Sequence, residues 1–141
     1  MNVALMAGKK IKGRKRHIVV DSQGHLLGVV VHAANLHDTV SGIFPVQYAT
    51  TLYPSIKGIC GDSGYRGTFV DEVKNVVNLS VDIVQRKQKK SWEELPKRWI
   101  VERTFSWLNS TRRLSKDYEI TTDSAESMVM LSHIYTLLKR L

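Results

Sequence analysis

Apolar positions along the chain switch between two spacings, and the switches mark its elements. His17-Ile18-Val19-Val20 is a β-branched run closed by the turn residues Asp21-Ser22-Gln23-Gly24, and Leu26 to Val31 resumes as a nearly all-apolar stretch. Two such runs about a short turn predict an antiparallel hairpin. Asp38 is placed to cap a helix over about 39–53 that Pro54 closes. Residues 55–62 then form an apolar strand ending on Asp62. Past Gly67, Phe69, Val73, Val76 and Val77 recur at helical spacing, and 81–84 is a further short strand.

The second half is helical. From about Lys97, the residues Val101, Phe105 and Leu108 fall on one face, with Arg98, Glu102, Ser106 and Asn109 on a neighbouring polar stripe. Asp123-Ser124-Ala125-Glu126 reads as a capping box, and Met128, Leu131, Tyr135 and Leu138 predict the buried stripe of a last helix. Strands alternating with helices make this an α/β chain, and its 141 residues form a single domain, 1–141. No internal repeat or low-complexity linker interrupts it.

Charge changes that picture more than composition does. Lys and Arg number 21 against 13 acids, a formal net charge of +8. Such an excess favours a polyanionic partner, nucleic acid before an acidic membrane. Six of the cations lie in residues 9–16, four in 86–90 and six in 97–116. A solvated face is the plain reading of each cluster; their grouping around the hairpin, one loop and one helix is what nucleic-acid binding requires. Trp92 beside the 86–90 run adds an aromatic able to stack on a base. No apolar stretch approaches a membrane span, and residues 1–8 are too short for a signal-peptide core. The single cysteine, Cys60, excludes an internal disulfide and sits in an apolar run as an inert thiol. A cytoplasmic protein is expected.

Candidate chemistry gathers at Gly61-Asp62-Ser63-Gly64-Tyr65-Arg66-Gly67. Ligand crevices in open α/β sheets lie beyond the carboxyl ends of strands, where Asp62 falls between glycines. Phosphodiester cleavage by two metal ions about 3.5–4 Å apart calls for hard oxygen ligands, hence Asp and Glu for Mg²⁺ or Mn²⁺. Asp62 and Glu102 are the plausible pair; on spacing alone the signal is weak, and a structural turn aspartate and an exposed Arg98–Glu102 helix pair are the default readings. The five histidines lack a cysteine cluster or helical metal spacing. His17, next to the basic run, is a candidate phosphate contact, and the others read as structural.

Four blocks in order then carry a resemblance: Gly13-Arg-Lys-Arg-His-Ile-Val-Val-Asp21, Val31-His-Ala-Ala-Asn35, Gly61 to Gly67, and Arg98-Trp-Ile-Val-Glu102 continuing to Asn109. With the run from Arg112 to Glu119, they resemble the DDE transposases of bacterial insertion sequences, in the group named after insertion sequence five. The similarity spans residues 8 to about 141. It implies an RNase-H-like mixed sheet flanked by helices and three acids holding two divalent ions that cut and join DNA. Asp62 matches the second acid and Glu102 the third, with Arg98 in the same helical signature. Leu95 and Asn109 stand where that signature usually has Tyr and Lys.

The first acid belongs upstream of the Gly-Lys-Lys run, on a strand this sequence is expected to lack. Asp21 also ends a strand and is a candidate substitute, but its turn chemistry favours a structural role. The expected product is therefore the C-terminal part of a transposase, a second reading frame or a decayed copy, joined in function by an upstream transposase segment. Its expected partner is double-stranded DNA, in a homo-oligomer, contacted by Lys10, Lys12, Arg14, Lys15, Arg16, Arg98, Arg103, Arg112 and Arg113. The alternative is a product that only binds DNA.

Overall fold

The computed structural model describes residues 3–11, 13–84 and 98–141. Lys12, the basic 86–90 run, Trp92, Leu95 and Lys97 lie outside the described residues. Five strands form one mixed sheet: β1 (Val3–Ile11), β2 (Arg14–Val20), β3 (Leu26–Ala33), β4 (Gly58–Gly61) and β5 (Ser80–Ile83), in the spatial order β3-β2-β1-β4-β5. β2 runs antiparallel to both β1 and β3, whereas β4 pairs parallel to β1 and to β5.

This mixed sheet is the one expected, but the gap at its first strand is filled. Residues 3–11 occupy the centre, so the edges are β3 and β5. The basic run, read as directly preceding the strand that starts at His17, lies on two strands, paired Lys9 to Arg16 and Lys10 to Lys15. Gly13, at φ 81°, makes the intervening turn. The Asp21 turn is as expected: its Oδ1 accepts from the backbone of Gln23 and His25 at 2.8 and 2.9 Å.

Helices cover both faces, which is why the strands read as continuous apolar runs. On one face α1 (Asp38–Ser41), α2 (Ile43–Leu52) and α3 (Thr68–Val77) bury Val46, Ala49, Phe69 and Val73 over Ala4, Met6, Val19 and Ile59. On the other, α4 (Arg98–Asn109) and α5 (Thr122–Leu138) bury Val101, Leu108, Ala125 and Val129 over Leu5, Ile18, Val20 and Cys60. Neighbouring residues of β1 and β2 divide between the two cores, as a two-residue period requires.

The helix expected over 39–53 is two helices. A Cβ on Gly42 would stand 2.8 Å from the Asp38 carbonyl and from the Tyr65 ring. His37, not Asp38, caps α1, and the Asp38 carboxylate turns to Lys15 at 2.8 Å. In α3, Phe69 and Val73 are buried but Val76 is exposed.

The α5 reading also changes. Thr121 is the cap, and Glu126 accepts from the Val31 backbone of edge strand β3 at 2.9 Å rather than closing a capping box. His133 Nε2 accepts from the Leu26 backbone at 3.1 Å. Two open amides of an edge are thereby satisfied. Those bonds set the helix rotation: Ala125 and Val129 face inward, while Leu131, Tyr135 and Leu138 stay 57, 52 and 61% exposed. Among the described residues, no helix is long and apolar enough to cross a membrane.

Candidate active site

Beyond the carboxyl end of β4, over the middle of β1 and under α4, lies a cleft of about 430 Å³. Asp62 follows β4 directly and Glu102 projects from α4; forty residues apart in sequence, they line the same cleft. The stripe read from helical spacing is also there, since Arg98, Ser106 and Asn109 line it too. Asp62 begins a 3₁₀ turn (Ser63–Tyr65), and its Oδ1 accepts from the Gly64 backbone at 2.9 Å. Glu102 is exposed and accepts from Arg98 Nε at 2.9 Å.

Behind the Asp62 turn sits a buried polar cluster that sequence reasoning missed. His17 is wholly buried, so it is not a phosphate contact. Its Nδ1 lies 2.6 Å from the Tyr65 hydroxyl and its Nε2 3.3 Å from Ser41 Oγ. Ser41 gives its hydrogen to the His37 carbonyl at 3.0 Å, so toward His17 it accepts. The ring therefore carries its proton on Nε2, and Tyr65 donates to Nδ1. Burial lowers the His17 pKa to about 4, assisted by the charge of His32 stacked at 4.7 Å. Burial, and then the carboxylates of Asp62 and Asp38, raise that of Tyr65. The sequence signal was a histidine on an apolar strand 48 residues from a tyrosine, with nothing local to join them.

The cations expected to hold DNA divide sharply. Arg14 donates to Asp117 and to the carbonyls of Glu119 and Ile120, and Lys15 to Asp38. Arg16 is buried against the Leu114 carbonyl, and burial lowers its pKa. Arg103 is stacked between Trp99 and Trp107 and donates to the Gln23 carbonyl. Arg113 pairs with Glu119 at 2.7 Å. Lys10 and Arg112 stay exposed, without a side-chain hydrogen bond or ion pair among the described residues. Arg112 shares a shallow cleft with Lys139 and Arg140, two cations the clusters in sequence did not include.

A family model described as Transposase DDE domain matches residues 6–137. The chain belongs to the DDE transposase family. A relative described as a putative transposase for insertion sequence element IS402, from Burkholderia cepacia, is 30% identical over 122 residues, covering 79% of this chain and 56% of the relative. The chain thus spans a little over half of that relative's length. The catalytic core domain of BIV integrase superposes with a TM-score of 0.64 at 10% identity, covering 94% of this chain and 81% of that one. The fold is accordingly RNase-H-like.

DDE transposases generally work with divalent metal ions, so the donor set of the cleft has to be tested against such ions. A pair of hard cations needs several shared carboxylate oxygens. Among the described residues the cleft offers Asp62 and Glu102, and with them the cations Lys9 and Arg98. No group of three or more His, Cys, Asp or Glu residues among them could hold a metal ion. By themselves these residues do not fit a two-metal centre.

Proposed function

We propose that this chain is a DNA-binding transposase core in which Asp62 and Glu102 are two of the acids serving phosphodiester cutting and joining with Mg²⁺ or Mn²⁺. The observation that carries this reading is the convergence of the two carboxylates, from β4 and α4, on one cleft. Chemistry further requires a carboxylate from outside the described residues, in keeping with an upstream transposase segment. The Gly64 amide fixes Asp62. Arg98 is an exposed partner of Glu102. Exposed helix pairs of this kind contribute only about 0.3–0.5 kcal/mol, so a phosphate can take the guanidinium from Glu102 at small cost.

Excision of a marked insertion sequence encoding this chain, in cells, tests the acids: Asp62→Asn or Glu102→Gln should abolish it, and excision retained by either variant removes that residue from the site. A second reading is favoured by the matching of the two acids with Lys9 and Arg98: a product that binds duplex DNA and does no chemistry. It requires metal-independent binding whose log affinity falls linearly with log salt. Fluorescence anisotropy with a short duplex distinguishes the two, since binding without any excision in the wild type leaves the second reading standing.

A further inference from the structure

Parallel pairing sets Met6 of β1 beside Gly61 of β4, so Ala7 is the next residue of β1 and Asp62 the next after β4. The direction a side chain takes there follows from its neighbours. A Cβ on Gly8 would meet the His17 ring at 2.9 Å and the Tyr65 hydroxyl at 3.3 Å, on the far face. Leu5 and Cys60 belong to the core under α4. Ala7 and Lys9 therefore face α4, and both line the cleft together with Asp62 and Glu102. Adjacent strands lie about 4.8 Å apart, so a carboxylate at position 7 is within reach of an ion held by Asp62. In its place the chain has a methyl group, and one pleat further the Lys9 ammonium.

We infer that Ala7 is the position that keeps this cleft from holding a divalent cation, and that a single carboxylate there completes a cation site with Asp62 and Glu102. The inference rests on those two residues being the acids of the cleft. Cation affinity rises over decades with the number of charged oxygen ligands, so one added carboxylate has a large effect. The added charge also outweighs Lys9, leaving the cleft net negative.

The test is titration of the whole chain with Mn²⁺ and with Mg²⁺ in the absence of DNA, by calorimetry and by thermal melting. Ala7→Asp should bind Mn²⁺ about tenfold or more tightly than the wild type and melt higher in its presence. Ala7→Asn, of equal bulk without charge, should gain nothing, and adding Asp62→Asn to Ala7→Asp should abolish the gain. If Ala7→Asp does not fold by circular dichroism, Ala7→Glu takes its place with a longer reach from the strand. The inference is overturned if the wild type binds as tightly as the carboxylate variant, or if that variant, folded, binds no better than Ala7→Asn. A gain that survives Asp62→Asn overturns it as well. Loss of the proposed function alone reads differently: a gain abolished by Asp62→Asn, together with excision that Asp62→Asn does not abolish.

Discussion

Acidification should strip this fold of stability through His17, by an amount the structure sets. The ring is wholly buried, neutral, and accepts the Tyr65 hydroxyl at Nδ1. Adding a proton places a hydrogen where Tyr65 already donates and charges a group without water around it. The folded pKa of about 4 lies below the ordinary 6.5. A base whose folded pKa is depressed binds its proton more readily when unfolded, so its stabilisation is complete above pH 6.5 and is lost as pH falls toward 4. At 1.36 kcal/mol per pKa unit the loss approaches about 3 kcal/mol, a large share of an ordinary domain's stability.

Urea unfolding of the wild type and of His17→Gln, at several pH values between 7 and 4, isolates the effect. The variant lacks the titrating ring, while the remaining groups, Glu126 and His133 among them, are common to both proteins. The wild type should lead at pH 7 and lose that lead, by about 3 kcal/mol, before pH 4. A stability difference that stays constant across this range would refute the buried neutral imidazole.

Arg16→Met should cost about 1.5–3 kcal/mol in urea unfolding, because a buried charged donor to the Leu114 carbonyl is lost, while the DNA affinity of the folded fraction is unchanged. Lys10→Ala and Arg112→Ala should leave melting unchanged and each lower the slope of log affinity against log salt by about one, measured by anisotropy. Gly42→Ala should destabilise by about 1–3 kcal/mol, since its Cβ would be driven into Tyr65 and the Asp38 carbonyl; thermal melting checks this.

What the sequence made legible was whatever repeats with a local period. The hairpin about Asp21, the strand ending on Asp62, α3 and the cleft-facing stripe of α4 all follow from spacing and turn chemistry. What it hid depended on partners remote in the chain. α5 offers more than one apolar stripe, and the choice between them rests on Glu126 and His133 meeting amides of β3. The break at Gly42 depends on Tyr65, twenty-three residues away. Ala7 carries no chemical signal of its own; its meaning comes from the neighbouring strand and the facing helix.

The basic clusters teach the sharpest version of this point. Density of Lys and Arg along the chain was taken as a footprint of nucleic acid, but a strand alternates its side chains and so divides any such run between faces. Arg16 goes into the interior, and Arg14 reaches across to the carbonyls of Glu119 and Ile120, so the two cations brace the segment between α4 and α5. Those arginines serve the fold by neutralising carbonyls that would otherwise stand unpaired. Charge available to a phosphate backbone is what remains after that internal use, and on the described surface it includes Lys10, Arg112, Lys116, Lys139 and Arg140. A binding footprint in this family therefore has to be drawn from exposed cations, and neutralising Arg14 or Arg16 would weaken DNA binding by unfolding the protein rather than by removing a contact.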